Sequence, residues 1–283
     1  MVENSRRVLE PGVEVDGFLL GESLHQGGMG AIFTVTPQGR PDPGFPLVMK
    51  VPVLTRGADA EGLLSFETEL MILPLLAGNH APRFVAAGSL ATEPYLVMER
   101  ITGASLATRL GSVVPAEEVA DIGAAASDAL YAIHEQGAIH LDIKPENVVI
   151  GASGRATLID FGLSHHARLP DLLAEEQRFT AGSAPYVSPE QVRGDRTDPR
   201  SDLFALGVML YELATGVLPF GNPQGAGSLR DRLWMEIEPP RARNPEIPAW
   251  LQEVILRCLE VEAERRYQSA AHLAFDLRHP EQI

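Results

Sequence analysis

Residues 139–150 read IHLDIKPENVVI, a run that sets Asp142, Lys144 and Asn147 between β-type apolar residues at either end. A carboxylate, an ammonium and a carboxamide crowded beside isoleucine and valine carry a desolvation cost that only mutual pairing or a bound partner offsets. A plain leucine, Leu141, sits between His140 and Asp142. A little further on, IDFG (159–162) brings a second carboxylate, Asp160, at the end of another short β-type segment.

Outward from these runs the chain changes character. To about Val97 it reads as short strands with one helix: VDGFLLGESLH and GAIFTVTP flank a glycine cluster, and FPLVMKVPVL is a third apolar run. AEGLLSFETELMILPLLAG places Leu63, Phe66, Leu70, Leu73 and Leu76 at helical spacing, with Pro74 straining the last turn. APRFVAAGSL and EPYLVMER return to strand. The second half is mainly helical. PAEEVADIGAAASDALYAIHEQG opens on Pro115 and acidic residues and stops at Gly137, while SDLFALGVMLYELATG opens on Ser201 as N-cap and stops at Gly216. IPAWLQEVILRCLEV and SAAHLAFDLRH close the chain as helices. NVVIGASGRATLIDFG reads as two strands about a Ser-Gly turn, and the stretch from Gly162 to Pro189 is irregular; so long a loop in a compact domain is usually functional.

Composition bounds the function. A length of 283 residues suits one large domain or two small lobes, and 45% hydrophobic with 22% charged residues is ordinary for a globular chain. A net charge of −15 argues against a nucleic-acid surface. Cys258 stands alone, which excludes an intrachain disulfide and a Cys-based zinc site; its setting in LQEVILRCLEV reads as a buried core thiol. The start, MVENSRRVLEPGVEVDG, has no apolar secretory core, and the most apolar runs are too short or too charged to span a bilayer. The expectation is a cytoplasmic protein with no membrane segment in this chain.

In LHQGGMGAIF, Gly27, Gly28 and Gly30 lie between two strands. A dinucleotide turn or a P-loop would open a helix here, whereas a strand follows, and no Lys-Ser/Thr pair succeeds the glycines. A glycine-rich hairpin folded over phosphates remains, with a plain hairpin as the alternative. Lys50, in the apolar strand VMKV, needs a partner; Glu69 on the first helix is the natural one and Glu67 the alternative. Phosphoryl transfer requires a carboxylate to orient and accept the proton of the attacking hydroxyl, oxygen ligands to hold Mg2+ and a cation near the moving group. Asp142, Asp160, Asn147 and Lys144 supply those types in order. The pair His165–His166 lacks further ligands for a metal and reads as solvated loop.

At this point the chain resembles a eukaryotic-type (Hanks-type) protein kinase domain, and most of all the bacterial Ser/Thr kinases. The resemblance rests on QGGMGAIF, VMKV, FETEL, YLVMERITGASL, HLDIKPENVVI, LIDFG, GSAPYVSPEQVRG, SDLFALGVMLYELATGVLPF and CLEVEAERRYQSA, in family order from about Leu20 to Leu277. It implies an α+β, bilobal fold: an N-terminal extension over 1–14, a β-rich small lobe with one helix over 15–100, and a mainly helical large lobe over 101–279. It implies ATP in the cleft between them and Mg2+, or Mn2+ in its place. The residues carried over are Leu24, Gly27, Gly28, Gly30, Ile32 and Val48 around the nucleotide, Lys50 held by Glu69 on its phosphates, Met98 as gatekeeper, and Glu99 and Ile101 in the adenine-binding hinge. Asp142 is then the catalytic base, Lys144 contacts the transferred phosphate, and Asn147 and Asp160 bind the metal. Glu190 and Arg266 resemble the ion pair that braces the activation segment, and Asp202 the aspartate that props the catalytic loop. The lysine two residues after Asp142 is the Ser/Thr pattern, so the implied activity is that of a non-specific serine/threonine protein kinase. Its partners are protein substrates with Ser/Thr acceptors, itself among them through self-association for autophosphorylation.

Departures from the pattern qualify that picture. His25 occupies the first glycine position of the hairpin, so altered nucleotide affinity is expected. Val48 takes the place of the common alanine beneath adenine, and Ser183 that of a threonine. Leu141 replaces the arginine that meets an activation-loop phosphate, a contact worth about 1.5–3 kcal/mol. Constitutive activity is the expectation, or control through Arg168, Arg178 or Arg193 if Thr180 or Ser183 is phosphorylated. A nucleotide-binding pseudokinase or scaffold is the alternative; against it, Lys50, Glu69, Asp142, Lys144, Asn147 and Asp160 are all present. A kinase for small molecules would not need GSAPYVSPE intact.

Overall fold

Six strands from the first hundred residues pair into one antiparallel sheet: β1 (Glu14–Val15), β2 (Phe18–Gly27), β3 (Gly30–Pro37), β4 (Leu47–Pro52), β5 (Phe84–Ala87) and β6 (Leu96–Glu99), in the order β1-β2-β3-β4-β6-β5. The computed structural model describes residues 9–27, 30–52, 60–90, 92–175, 183–223 and 226–283. Alternation along the strands gives the sheet two apolar faces. Phe18, Leu20, Phe33, Val35, Leu47, Met49 and Val97 close one of them as a small core of their own. Val48, Leu96 and Met98 point the other way and join the main core. Helix α1 (Ala60–Ile72) lies on that second side with Phe66 buried. It ends where Pro74 forbids it to continue, passing into a 3-10 turn over Leu73–Leu75.

The rest of the chain is built around two helices. In α5 (Arg200–Thr215), every residue from Ser201 to Tyr211 is buried, the pattern of a helix enclosed on all sides. Gly216, at φ 76°, provides the left-handed stop. Ser201 is not the N-cap expected: the cap falls two residues earlier, on Pro199, and Asp198 Oδ1 accepts the Arg200 amide at 2.9 Å. Ser201 is instead a buried polar bridge, donating to Glu190 at 2.9 Å. Helix α2 (Ala116–His134) presents Val119, Ile122, Ala126, Leu130 and Ile133 to the interior, as its acidic start and the stop at Gly137 predict. Between α2 and α5 run β8 (Ala138–Ile139), β9 (Val148–Ile150) and β10 (Ala156–Leu158), then β11 (His165–His166), α3 (Leu172–Glu175) and α4 (Pro189–Val192). β10 and β9 form a hairpin completed by β7 (Ala104–Ser105). β11 pairs with β8, tying the start of the 162–189 stretch to the run that opens at Ile139. Helices α6 (Ala226–Asp231), α7 (Pro240–Arg243), α8 (Ala249–Cys258) and α9 (Ala270–Arg278) complete this half. Cys258 is fully buried, and burial pushes its thiol up to about 12, so it remains protonated core packing. Among the described residues, no helix is long and apolar enough to cross a membrane.

The architecture is thus α+β in two lobes. A curled antiparallel sheet with one helix sits against a helical body, and IHLDIKPENVVI and IDFG lie where they meet.

Candidate active site

The run that follows β8 is held by its backbone. Asp202, on α5 and fully buried, accepts the amide protons of His140 at 2.9 Å and Leu141 at 2.8 Å, and its Oδ2 lies 2.8 Å from His134 Nε2. Gln191 on α4 donates to the Leu141 carbonyl at 2.9 Å. Leu141 itself sits at φ 62°, a left-handed conformation rare for a branched residue and maintained only where the surroundings impose it. The His140 ring reaches the Ile159 carbonyl at 3.1 Å and packs on Phe161 at 4.9 Å between centroids, which couples this run to IDFG.

That scaffold aims Asp142. Its Oδ1 accepts the Ser183 amide at 2.9 Å and its Oδ2 the Asn147 carboxamide at 3.0 Å. Lys144 Nζ stands 2.8 Å from the same Oδ2 and donates to Ser183 Oγ at 2.7 Å. Asp142, Lys144, Asn147 and Ser183 are therefore one hydrogen-bonded cluster at the floor of the cleft, with Asp142 and Asn147 buried and Lys144 and Ser183 half-buried.

From the other lobe, Lys50 of β4 donates to Glu69 of α1 at 2.5 Å and to Asp160 at 3.0 Å. Glu69, not Glu67, is the partner; it is 1% exposed, and its second oxygen accepts the Phe161 amide at 3.1 Å. Burial works against the Lys50 ammonium, but Glu69 and Asp160 outweigh it and raise the lysine above its ordinary value. Burial opposes the Asp160 charge likewise, and the facing Lys50 wins again, holding the carboxyl below the usual range. Asp160 is at φ 65° and exposed toward the cleft. Two of the three non-glycine residues with positive φ among those described, Leu141 and Asp160, thus lie in this site.

Asn147 spends its amide N–H groups on Asp142, which leaves its carbonyl oxygen for a ligand, and Asp160 adds an exposed carboxylate. One carboxylate and one carboxamide, with phosphate oxygens and water for the rest, suit Mg2+, which seldom uses an all-protein cage. Among the described residues there is no group of three or more His, Cys, Asp or Glu able to hold a metal, in keeping with so sparse a set.

The hairpin of β2 and β3 roofs the cleft. Gly27 pairs with Gly30, and a Cβ on Gly30 would stand 2.4 Å from the Val51 carbonyl, so only glycine fits there. Ile32, Val48 and Met98 face inward beneath it, and Leu24 is exposed at its edge. In the connection between lobes, the Glu99 amide already donates to the Arg83 carbonyl at 2.9 Å and its side chain pairs with Arg83. Ile101 follows, half-buried. Gly28, Arg178 and Thr180 lie outside the described residues.

Beyond Ser183 the chain forms the cleft's lower rim. Glu190 and Arg266 make a two-pronged buried ion pair at 2.6 and 2.9 Å. Arg232, 1% exposed, has no carboxylate partner among the described residues; its guanidinium donates to the carbonyls of Ala184 at 2.8 Å, of Val187 and of Leu229 at 3.1 Å. Burial lowers it to about 10. Neither Arg232 nor Gln191 was evident in the sequence: each contacts backbone carbonyls, which leave no residue-type signature. His165 and His166 are not solvated loop either, since their pairing with β8 leaves His166 2% exposed, and burial lowers its ring below the ordinary histidine range.

Taken together, two lobes, a glycine hairpin over a lysine–glutamate pair, and two carboxylates with an asparagine below are the architecture of a protein kinase domain. The protein kinase domain family matches residues 21–276, and the chain belongs to that family. It is 36% identical over 186 residues to the serine/threonine-protein kinase PknB of Mycobacterium leprae, covering 65% of this chain and 30% of that one. To the serine/threonine-protein kinase Pkn1 of Myxococcus xanthus it is 32% identical over 266 residues, covering 92% of this chain and 38% of that one. The chain therefore spans about a third of the length of these curated relatives. A double-mutant form of the Mycobacterium tuberculosis PknI kinase domain has the same fold, with a TM-score of 0.72 at 24% identity over 96% of this chain and 99% of that one. A single-mutant form of that domain gives 0.69 at 25% identity, over 97% and 100%.

Proposed function

We propose that this chain is an Mg-ATP-dependent serine/threonine protein kinase, transferring the γ-phosphate of ATP to Ser/Thr hydroxyls of proteins, itself included. One observation carries the reading: Lys50, Glu69 and Asp160 form one bonded set and Asp142, Lys144 and Asn147 another, on facing walls of one cleft. Residues 15–100 would cover the nucleotide and residues 101–279 carry the acceptor. Leu24, Ile32, Val48 and Met98 would enclose adenine, whose edge would meet the Glu99 carbonyl and the Ile101 amide. Lys50 would turn from Asp160 to the phosphates while Glu69 keeps it in place, under Gly27, Gly28 and Gly30. Asn147 and Asp160 would hold Mg2+ or Mn2+, which when bound neutralises phosphate charge.

Asp142 would accept the hydrogen bond of a substrate hydroxyl. As the oxygen attacks phosphorus its proton passes to that carboxylate, the bond from the γ-phosphorus to the bridging oxygen breaks, and ADP departs. Lys144, bonded to Ser183 Oγ, would neutralise charge on the phosphoryl group in transit. The rim from Ser183 to Glu190, held by Arg232, Gln191 and Arg266, supports a protein substrate, since a fixed rim can present an extended segment.

The test is intact mass after incubation with Mg-ATP, beside Asp142→Asn. Added phosphate in the wild type alone supports the kinase. Nucleotide binding without transfer to itself or to a generic basic protein would establish the pseudokinase instead.

A further inference from the structure

The hairpin carries a side chain that the nucleotide reading has not used. Strand register passes from Ser23 opposite Phe33 to His25 opposite Ile32, so Leu24 is a bulge and His25 stands beside Ile32. Ile32 is opposite Lys50, and Lys50 opposite Leu96. Residues directly opposed in antiparallel strands project to the same face. Ile32 and Leu96 belong to the cleft-side core, whereas Ala31, Phe33 and Val51 belong to the cluster on the far face. His25 is therefore on the cleft face, two strands from Lys50, roughly 10 Å along the hydrogen-bonding direction. Its ring leans forward along β2: Nε2 lies 2.9 Å and Cε1 3.6 Å from where a Cβ on Gly27 would be. The imidazole leans over Gly27 and is exposed.

We propose that His25 is a phosphate ligand of the nucleotide site. An imidazole N–H projects from the roof onto a β- or γ-phosphate oxygen, on the side opposite Lys50, adding a side-chain donor where glycine would offer only backbone. The phosphates then lie between two side-chain donors, from β2 and β4 of one sheet. This inference rests on the nucleotide reading above and makes a claim of its own: the histidine binds the phosphates rather than obstructing them. A ring that merely stiffens or fills the turn predicts the opposite sign on removal.

Calorimetric titration of the wild type, His25→Gly and His25→Gln with Mg-ATP, Mg-ADP and adenosine decides it. Losing a hydrogen bond to a charged oxygen lowers affinity by about tenfold or more. His25→Gly should weaken Mg-ATP and Mg-ADP by that factor and leave adenosine within about twofold, while His25→Gln, which keeps an N–H donor, recovers part of the loss. Unchanged or tighter Mg-ATP binding by His25→Gly overturns the proposal and leaves the kinase reading standing. A wild type that binds neither adenosine nor Mg-ATP overturns the nucleotide reading, and this inference with it. Because His25 is exposed, both variants should melt with the wild type, which separates a binding effect from a folding one.

Discussion

Asp202 acts at a distance from the chemistry it supports. Its carboxylate holds two successive amides, those of His140 and Leu141, and the second belongs to a residue in a left-handed conformation. Asp202→Asn keeps the shape but replaces an oxygen acceptor with a donor, leaving one buried amide unsatisfied at about 1–3 kcal/mol. Urea unfolding should show that loss, and kcat should fall further than KM for ATP rises, because the Asp142 aim is set downstream of Leu141. The Lys50–Asp160 pair makes a separate prediction in pH. Against the desolvation it meets between the lobes, Asp160 is held below the usual carboxylate range by Lys50. A depressed carboxyl contributes stability above its unfolded pKa and loses it as pH falls through the folded one. The stability difference between wild type and Lys50→Met should therefore be level from about pH 5 to 8 and shrink only below about pH 4. Urea midpoints across that range check it; a difference that shrinks near pH 7 would mean another group carries the pair.

Among the elements, the segment from Ser183 to α4 is where side chains organise backbone. Arg232, beyond α6, ties down the carbonyls of Ala184 and Val187, next to the Ser183 amide that holds Asp142. Arg232→Met should raise KM for a peptide substrate about tenfold with KM for ATP unchanged, since removing the guanidinium frees the rim and leaves the roof alone. Steady-state kinetics with each substrate varied in turn separates the two. Leu141 bears on the same segment: 3% exposed and apolar, it offers no cation to an activation-loop phosphate. Thr180→Ala should match the wild type in kcat within about twofold. The sequence made the site's polar residues legible because each carries a charge in an apolar run: Lys50 in VMKV, Asp142 and Lys144 in IHLDIKPENVVI, Asp160 after TLI. It made the long elements legible through period and stops, including Gly216 and the break at Pro74. What it hid was backbone-directed. Ser201 reads as a cap by type, yet Glu190 and Ser188 recruit it into a buried bridge. His165 and His166 read as loop, yet the ladder to Ile139 and Ala138 buries the second. The short helices α3, α6 and α7 have too few residues to show a period at all.

At the scale of the molecule, the cleft carries net negative charge, which works against the proposed triphosphate. Lys50 and Lys144 face Glu69, Asp142 and Asp160, two cations against three carboxylates, on a chain of net charge −15. Adenine binding involves none of those charges, so adenosine should raise the melting temperature alike with Mg2+ and with a chelator. ATP without a divalent ion brings further negative charge against Asp160, and its affinity should fall steeply. The proposed ligand would also bridge the lobes, since Lys50 and Glu69 come from the sheet and helix α1, while Asp142, Asn147 and Asp160 come from the helical body. A ligand at 100 times its Kd stabilises the bound fold by about 2.7 kcal/mol, which for a chain of this size is roughly 5 °C in melting temperature. Scanning calorimetry should give that shift for Mg-ATP, most of it lost with a chelator and most of it lost in Asp160→Asn even with Mg2+ present. Equal shifts for Mg-ATP and metal-free ATP would mean that Asp160 and Asn147 hold no metal, and that the phosphates rest on Lys50 and the hairpin alone.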